Sequence, residues 1–237
     1  MKIKNAQPLQ KRYKNNTSAK FQKCQTELFL SLINKKYNKV LEVGCGKGYF
    51  SYVGALHKKF IHCSGCDVFF DYRKKEIAEY AESVEYKKIE NNILPFSDNL
   101  FDLVFSMDVI EHIDNDIEFI KESIRVCKKG GEIIIGTPNY WRITNIFLML
   151  FGQLKYPKNM GKDDYGDCIH IREYKMKELV EKIIYASDGK INHDNISVFP
   201  CWLGVLSLNI GIEKLPPLLN NLCHFFFIKF KKPNYES

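Results

Sequence analysis

Three glycines at alternate positions, Gly44, Gly46 and Gly48, follow the run Val40-Leu41-Glu42-Val43. Residues without a Cβ let the chain turn sharply and bring its backbone N–H groups close to a ligand. One carboxylate, Glu42, stands just before the turn. A second, Asp67, stands 23 positions after Gly44, close to the ~20-residue interval at which an acid meets a ribose diol. A dinucleotide fingerprint requires Gly-x-Gly-x-x-Gly, but the residue three after Gly46 is Tyr49. Glu42 would also repel a pyrophosphate, whereas it suits a cationic, amine-bearing ligand. Further on come Glu90-Asn91 ahead of Leu94-Pro95-Phe96, and then Glu111-His112. Each feature has a plainer reading. The glycines can be a structural turn, Asp67 a helix cap, Glu90-Asn91 a polar loop, and His112 a ring bonded to backbone.

These residues need a scaffold, and the hydrophobic pattern supplies one. Val40 to Val43, Phe60 to Cys66, Leu103 to Met107 and Glu132 to Gly136 are short, mostly apolar runs of strand length, and Val84 to Ile89 is a further strand candidate. Helical spacings lie between them. A polar helix is expected from Asp71 to about Ser83, with Ile77, Ala78 and Ala81 on its thin apolar face. Another is expected after Asp114, with Ile117, Ile120, Ile124 and Cys127 in step, Asp114 as its cap and Gly130-Gly131 as its stop. Alternating strands and helices imply a parallel sheet. The chemistry-bearing residues then fall at the carboxyl ends of strands, where ligands of open α/β sheets bind.

The run from Glu42 to Gly48 resembles the first motif of class I S-adenosylmethionine (AdoMet) methyltransferases. The stretch from Glu90 through Leu94-Pro95-Phe96 to Asp102, Glu111-His112-Ile113, and Thr137-Pro138-Asn139 are similar to the type 11 branch, which includes quinone-biosynthesis enzymes. The resemblance covers about residues 38 to 140. It implies a Rossmann-like α/β fold, a seven-stranded mostly parallel sheet with an antiparallel last strand and helices on both faces. It implies S-adenosyl-L-methionine as cofactor, held by Glu42, Gly44, Gly46, Gly48, Asp67, Glu90, Asn91 and Met107. In that family the acid at the place of Glu90 reads the adenine amino group, Asn91 would offer its N–H to the ring, and Met107 would sit beside the methionine part. His112 is the candidate general base, and no metal is expected.

Composition narrows the partners. The net charge is +7, but Lys2, Lys4, Lys11, Arg12, Lys14 and Lys20 lie in a stretch without acids, which leaves 29 basic against 28 acidic residues elsewhere. A short basic arm (1–17) ahead of one domain (18–237) is read as solvated, so nucleic acid is not expected. Eight scattered cysteines, including Cys63-x-x-Cys66 without a second pair, are read as reduced thiols of a cytoplasmic protein. No apolar run reaches the ~18 residues of a membrane span, and the polar, basic start is not a secretory signal.

The register thins after Tyr140. The apolar cluster from Trp141 to Phe151, flanked by Arg142, Lys155 and Lys158, has two readings. It is a lid or interfacial helix (an insertion at about 140–170) that meets a lipid-like acceptor or a membrane, or it is a helix covering core. Phe199 to Ile212 poses the same choice. Asp163, Asp164, Asp167 and His170 are read as loop residues, because their spacing is not that of a metal site. His170-Ile171-Arg172-Glu173-Tyr174 resembles the run before a late helix in these methyltransferases. Lys177 to Ile184 is expected as that helix, Ile191 to Phe199 as a sixth strand, and His224 to Lys232 as the antiparallel strand. The reading is methyl transfer to a small-molecule acceptor, with lipid- or glycan-linked acceptors among those considered. The alternatives are a non-catalytic AdoMet-binding or membrane-adaptor protein and a nicotinamide-dependent oxidoreductase. The acceptor atom and the oligomeric state are not legible.

Overall fold

The computed structural model describes residues 16–68, 73–90, 92–156, 170–205, 210–213 and 215–234. Most of the basic arm, Asp71, Asn91, Lys158, Asp163, Asp164, Asp167 and Cys168 therefore lie outside the described residues. Helix α1 (Asn16–Leu32) leads into β1 (Tyr37–Val43), α2 (Tyr49–Leu56), β2 (Phe60–Asp67), α3 (Lys74–Ala78) and β3 (Ser83–Lys88). The second half of the parallel unit is β4 (Phe101–Met107), α4 (Asp116–Val126) and β5 (Cys127–Pro138). Then come α5 (Ile143–Leu150), α6 (Met176–Ala186), β6 (Ile196–Cys201), a small hairpin of β7 (Leu203–Val205) and β8 (Ile210–Ile212), and β9 (Phe225–Lys231).

Seven strands form one sheet in the order β3-β2-β1-β4-β5-β9-β6. Neighbours from β3 to β5 are parallel, and β9 runs antiparallel to both β5 and β6. The expected sheet, with its antiparallel last strand, is the one observed. A sheet covered by helices on both faces buries both sets of side chains, which explains the near-continuous apolar runs. Val40, Leu41, Val43, Leu103, Val104 and Phe105 are all buried, as are Phe225 to Ile228 in β9. The Cys63/Cys66 pair falls in β2, where residues three apart point to opposite faces. Accordingly, Cys63 packs in one core layer and Cys66 in the other, and they cannot share an ion. Both are free thiols.

Three local expectations are corrected. The helix expected from Asp71 to Ser83 is only Lys74–Ala78. Of its apolar residues only Ile77 is fully buried, too small an anchor for a longer helix. The cap of α4 is Asn115, not Asp114. The Asn115 side-chain oxygen accepts the Glu118 N–H at 3.2 Å, while Asp114 is exposed. That helix also stops at Val126 rather than at Gly130. Cys127 already pairs with Phe101 of β4, and Gly130 (φ +71°) takes a turn within the longer strand β5.

Candidate active site

The chain turns outward on either side of β1, toward β2 and β3 in one direction and toward β4 and β5 in the other. A crevice opens at such a switch point, beyond the carboxyl ends of the strands. The glycine loop forms its floor. Gly44, Gly46 and Gly48 have φ of +66°, +46° and +72°, a left-handed region that L side chains enter at a cost. A Cβ on Gly44 would lie 2.4 Å from a Val109 methyl, so the loop is pressed against the turn after β4. At Gly46 no described atom lies within 4 Å of where a Cβ would be. There the loop faces open space.

The loop N–H groups do not reach outward as expected. Gly44 and Cys45 both donate to the Cys66 carbonyl, and Gly48 donates to the Cys45 carbonyl. Gly46 donates to the Asp67 carboxylate at 2.6 Å. The glycines thus create room and curvature, and the N–H groups of Gly44, Cys45 and Gly46 hold the loop to β2. Asp67, at the end of β2, is nearly buried beside the loop. Glu42 accepts the Ser51 N–H at 3.0 Å and ties the end of β1 to the first turn of α2. Burial pushes its carboxyl up to about 8, against the hydrogen bond from Ser51, so at neutral pH it is mostly a neutral acid.

The other expected residues are spread around the same crevice. The N–H of Ile89 donates to the Asp67 carbonyl, which sets Glu90 just past the ends of β2 and β3. Glu90 is exposed and forms a bridge with Ile93. Asn91 lies outside the described residues. Met107 ends β4, buried against Gly136. His112 ends the short 3-10 turn Ile110–His112 and is half-buried.

Several residues of this region were given no role in the site from the sequence, His170 having been read as a loop residue. Asp108 directly follows Met107 with φ +54°, a strained position for a non-glycine residue. Solvent reaches its side chain, yet protein crowds the recess around it, and this desolvation drives its carboxyl upward. Glu111 is fully buried. Its Oε2 accepts the Thr137 hydroxyl at 2.9 Å, and burial together with the nearby Asp108 charge raises its carboxyl well above the usual range. Across from it, His170 Nδ1 lies 3.1 Å from Glu173 Oε1. Glu173 also takes a bond from Arg142 and one from Asn145 Nδ2 at 2.6 Å. Burial opposes its ionisation, but His170, Arg142 and Asn145 outweigh burial and hold the carboxyl below its usual range. One sequence signal was available: Asn145 is a lone amide within the apolar run of α5, and it is fully buried. Of the apolar side chains around it, Phe147, Leu150 and Phe151 are exposed, by 54%, 75% and 73%, while Ile143, Ile146, Leu148 and Met149 are half-buried.

Known proteins resemble parts of this chain. The Methyltransferase domain family matches residues 41–135, from β1 to β5. A probable S-adenosylmethionine-dependent methyltransferase of Mycolicibacterium smegmatis is 29% identical over 172 residues, 68% of this chain and 54% of the relative. A ubiquinone biosynthesis O-methyltransferase of Coxiella burnetii is 28% identical over 147 residues, 60% of this chain and 61% of the relative. The chain thus spans between half and two thirds of these relatives. In fold it is similar to a possible histamine N-methyltransferase of Thermotoga maritima, with a TM-score of 0.59, 19% identity and 90% of each chain covered. It is likewise similar to a Haemonchus contortus phosphoethanolamine N-methyltransferase solved with S-adenosyl-L-methionine, with a TM-score of 0.56, 16% identity, and 88% of this chain and 52% of that one covered. Residues 41–135, the β1–β5 unit that carries the glycine loop, Asp67 and the β4 turn, thus match a methyltransferase domain, and the chain resembles S-adenosylmethionine-dependent methyltransferases in sequence and fold.

Proposed function

We propose that the protein transfers a methyl group from S-adenosylmethionine to a hydroxyl of a small-molecule acceptor. The carrying observation is the open space over Gly46, bordered by the Asp67 carboxylate and walled by the ends of β1, β2 and β4. A substituted loop would fill that space, so the residues present fit a ligand seated on the loop. When bound, S-adenosylmethionine supplies a methyl group on a sulfonium, a good leaving group. Asp67 would hold the ribose hydroxyls, Glu90 the adenine amino group, and Met107 would line the methionine end. The chain's main contribution is then alignment of the acceptor with the methyl carbon. As the acceptor oxygen forms its bond to carbon, the carbon–sulfur electron pair returns to sulfur, and the hydroxyl proton must leave. His112, on the turn after β4, is the residue assigned to that proton. Incubation with labelled methyl-AdoMet and cell extract tests the reading. Transfer of label to a small-molecule fraction is expected, and AdoMet binding without any transfer would favour the non-catalytic alternative.

The exposed side chains of Phe147, Leu150 and Phe151 favour an apolar acceptor, reached at a lipid surface. Exposed Lys155 follows them, and Lys175 lies over the Trp141 ring at 5.2 Å. A cation beside an anionic membrane contributes about 1 kcal/mol. Co-sedimentation with anionic vesicles at low salt, reversed at high salt, is the expected outcome. If the protein stays in the supernatant at both, the membrane version is wrong. No helix among the described residues is long and apolar enough to cross a membrane.

A further inference from the structure

Beside the crevice, three side chains from two separated segments converge. Glu111 and His112 come from the turn after β4, and His170 comes from the segment before α6. One ligand-type atom of each lies within 4.8 Å of the others. Glu111 Oε1 is fully buried and has no hydrogen-bond partner among the described residues. It faces His170 Nε2 at 4.0 Å, too far for a hydrogen bond. A buried carboxyl oxygen without a hydrogen-bond partner is costly, and such an atom calls for a missing one.

The geometry points to a site for a divalent transition cation of the zinc type, held by Glu111, His112 and His170. One carboxylate and two imidazoles are a donor set that such ions favour over magnesium or calcium, which prefer oxygen alone. Ligands at about 2.0–2.2 Å in a tetrahedral site stand roughly 3.4 Å apart. The 4.0 Å between Glu111 and His170 needs only a small closure to meet that.

The supporting contacts fit the same role. His170 Nδ1 donating to Glu173 directs the Nε2 lone pair toward Glu111, the usual arrangement for a ligating histidine. Glu173 is itself fixed by Arg142 and Asn145. The two segments are also joined by backbone, for the Ile171 N–H donates to the Glu111 carbonyl at 3.1 Å. The Tyr174 hydroxyl donates to the Asp116 carboxylate at 2.8 Å, tying the same two segments together. With an ion bound, the lone pair of His112 is on the ion, and the ion in place of His112 would hold and acidify the acceptor hydroxyl. That role rests on the methyl-transfer reading, but the binding does not.

The full-length protein, stripped with a chelator, is titrated with Zn²⁺ by calorimetry and with Co²⁺ by visible absorption. One equivalent of Zn²⁺ is expected, with Co²⁺ bands typical of nitrogen and oxygen ligands. His170→Ala should weaken Zn²⁺ at least about 100-fold and Glu173→Gln about 10–100-fold. Both should keep the wild-type circular dichroism and AdoMet affinity. A lack of stoichiometric binding overturns the proposal. So does binding that His170→Ala leaves unchanged, since the ion would then sit on other groups such as the thiols. Failure of AdoMet binding, by contrast, would refute the methyl-transfer reading and leave the Zn²⁺ titration standing.

Discussion

The two ends of the glycine loop should respond differently to the same added methyl group. Both Gly44 and Gly46 have positive φ, so alanine at either costs about 1–2 kcal/mol of backbone energy. At Gly44 the new Cβ would also meet Val109 methyls at 2.4 and 2.8 Å. Crowding of that kind adds about 1–3 kcal/mol. At Gly46 nothing described lies within 4 Å, so the backbone cost stands alone. In a domain of this size 1 kcal/mol shifts Tm by about 2–4 °C. Gly44→Ala should therefore lower Tm by about 4–20 °C and Gly46→Ala by about 2–8 °C. Gly189, in the turn after α6, also has positive φ (+72°) and open surroundings, so Gly189→Ala reports the backbone cost away from the site. Calorimetry then separates stability from binding. Gly46→Ala should melt like Gly189→Ala yet bind AdoMet at least about tenfold more weakly, a loss of about 1.4 kcal/mol. Gly189→Ala should bind normally. If Gly46→Ala binds with unchanged Kd, the space over the loop is not the cofactor's place and the reasoning fails.

Asp67→Asn keeps an oxygen for the Gly46 N–H but removes the charge. It should weaken AdoMet by about 1.5–3 kcal/mol in calorimetry, and an unchanged Kd would leave Asp67 as a loop fastener only. His112→Ala should lower turnover by about 10²–10⁴-fold at unchanged AdoMet affinity, and loss of folding instead would mark a structural residue. Glu42 gives a pH dependence. Its folded value, about 8, lies above its ordinary 4.5. The unfolded chain releases this proton first, so stability falls as pH rises from about 4.5 to about 8 and then levels. Glu42→Gln cannot ionise, and its melting temperature should exceed wild type by a growing margin from pH 5 to pH 8. Parallel curves would contradict the burial argument.

The parallel half of the fold was legible because its inner strands β1, β2, β4 and β5 are largely buried on both faces and the helices between them carry apolar stripes. The glycine turn and Asp67 were legible for a similar reason, since local spacing alone brings them together. Residues joined by distant contacts were not. Glu111 and His170 meet through the fold, and nothing in the local pattern of either links them. Asn145 was hidden inside an apolar run whose exposure depends on what packs over α5. The destination of the loop N–H groups was misjudged because Cys66 and Asp67 compete for them, a matter of how β2 lies beside β1. Asp114 was read as the cap because its residue type suits the role, but the neighbouring Asn115 suits it as well, and only the helix start decides.

The position of β9 has a consequence for how the chain assembles. It is the last strand in sequence, yet it lies inside the sheet and bonds to β5 on one side and β6 on the other. Until residues 225–231 leave the ribosome, β5 has a naked edge and β6 has nothing to join. The nascent protein must carry that open seam through the synthesis of nearly ninety residues, as a natural client for holding factors. The order also implies a single closing event, in which four buried residues, Phe225 to Ile228, zip two borders at once. A chain cut before Phe225 would lose both borders together rather than fray by degrees.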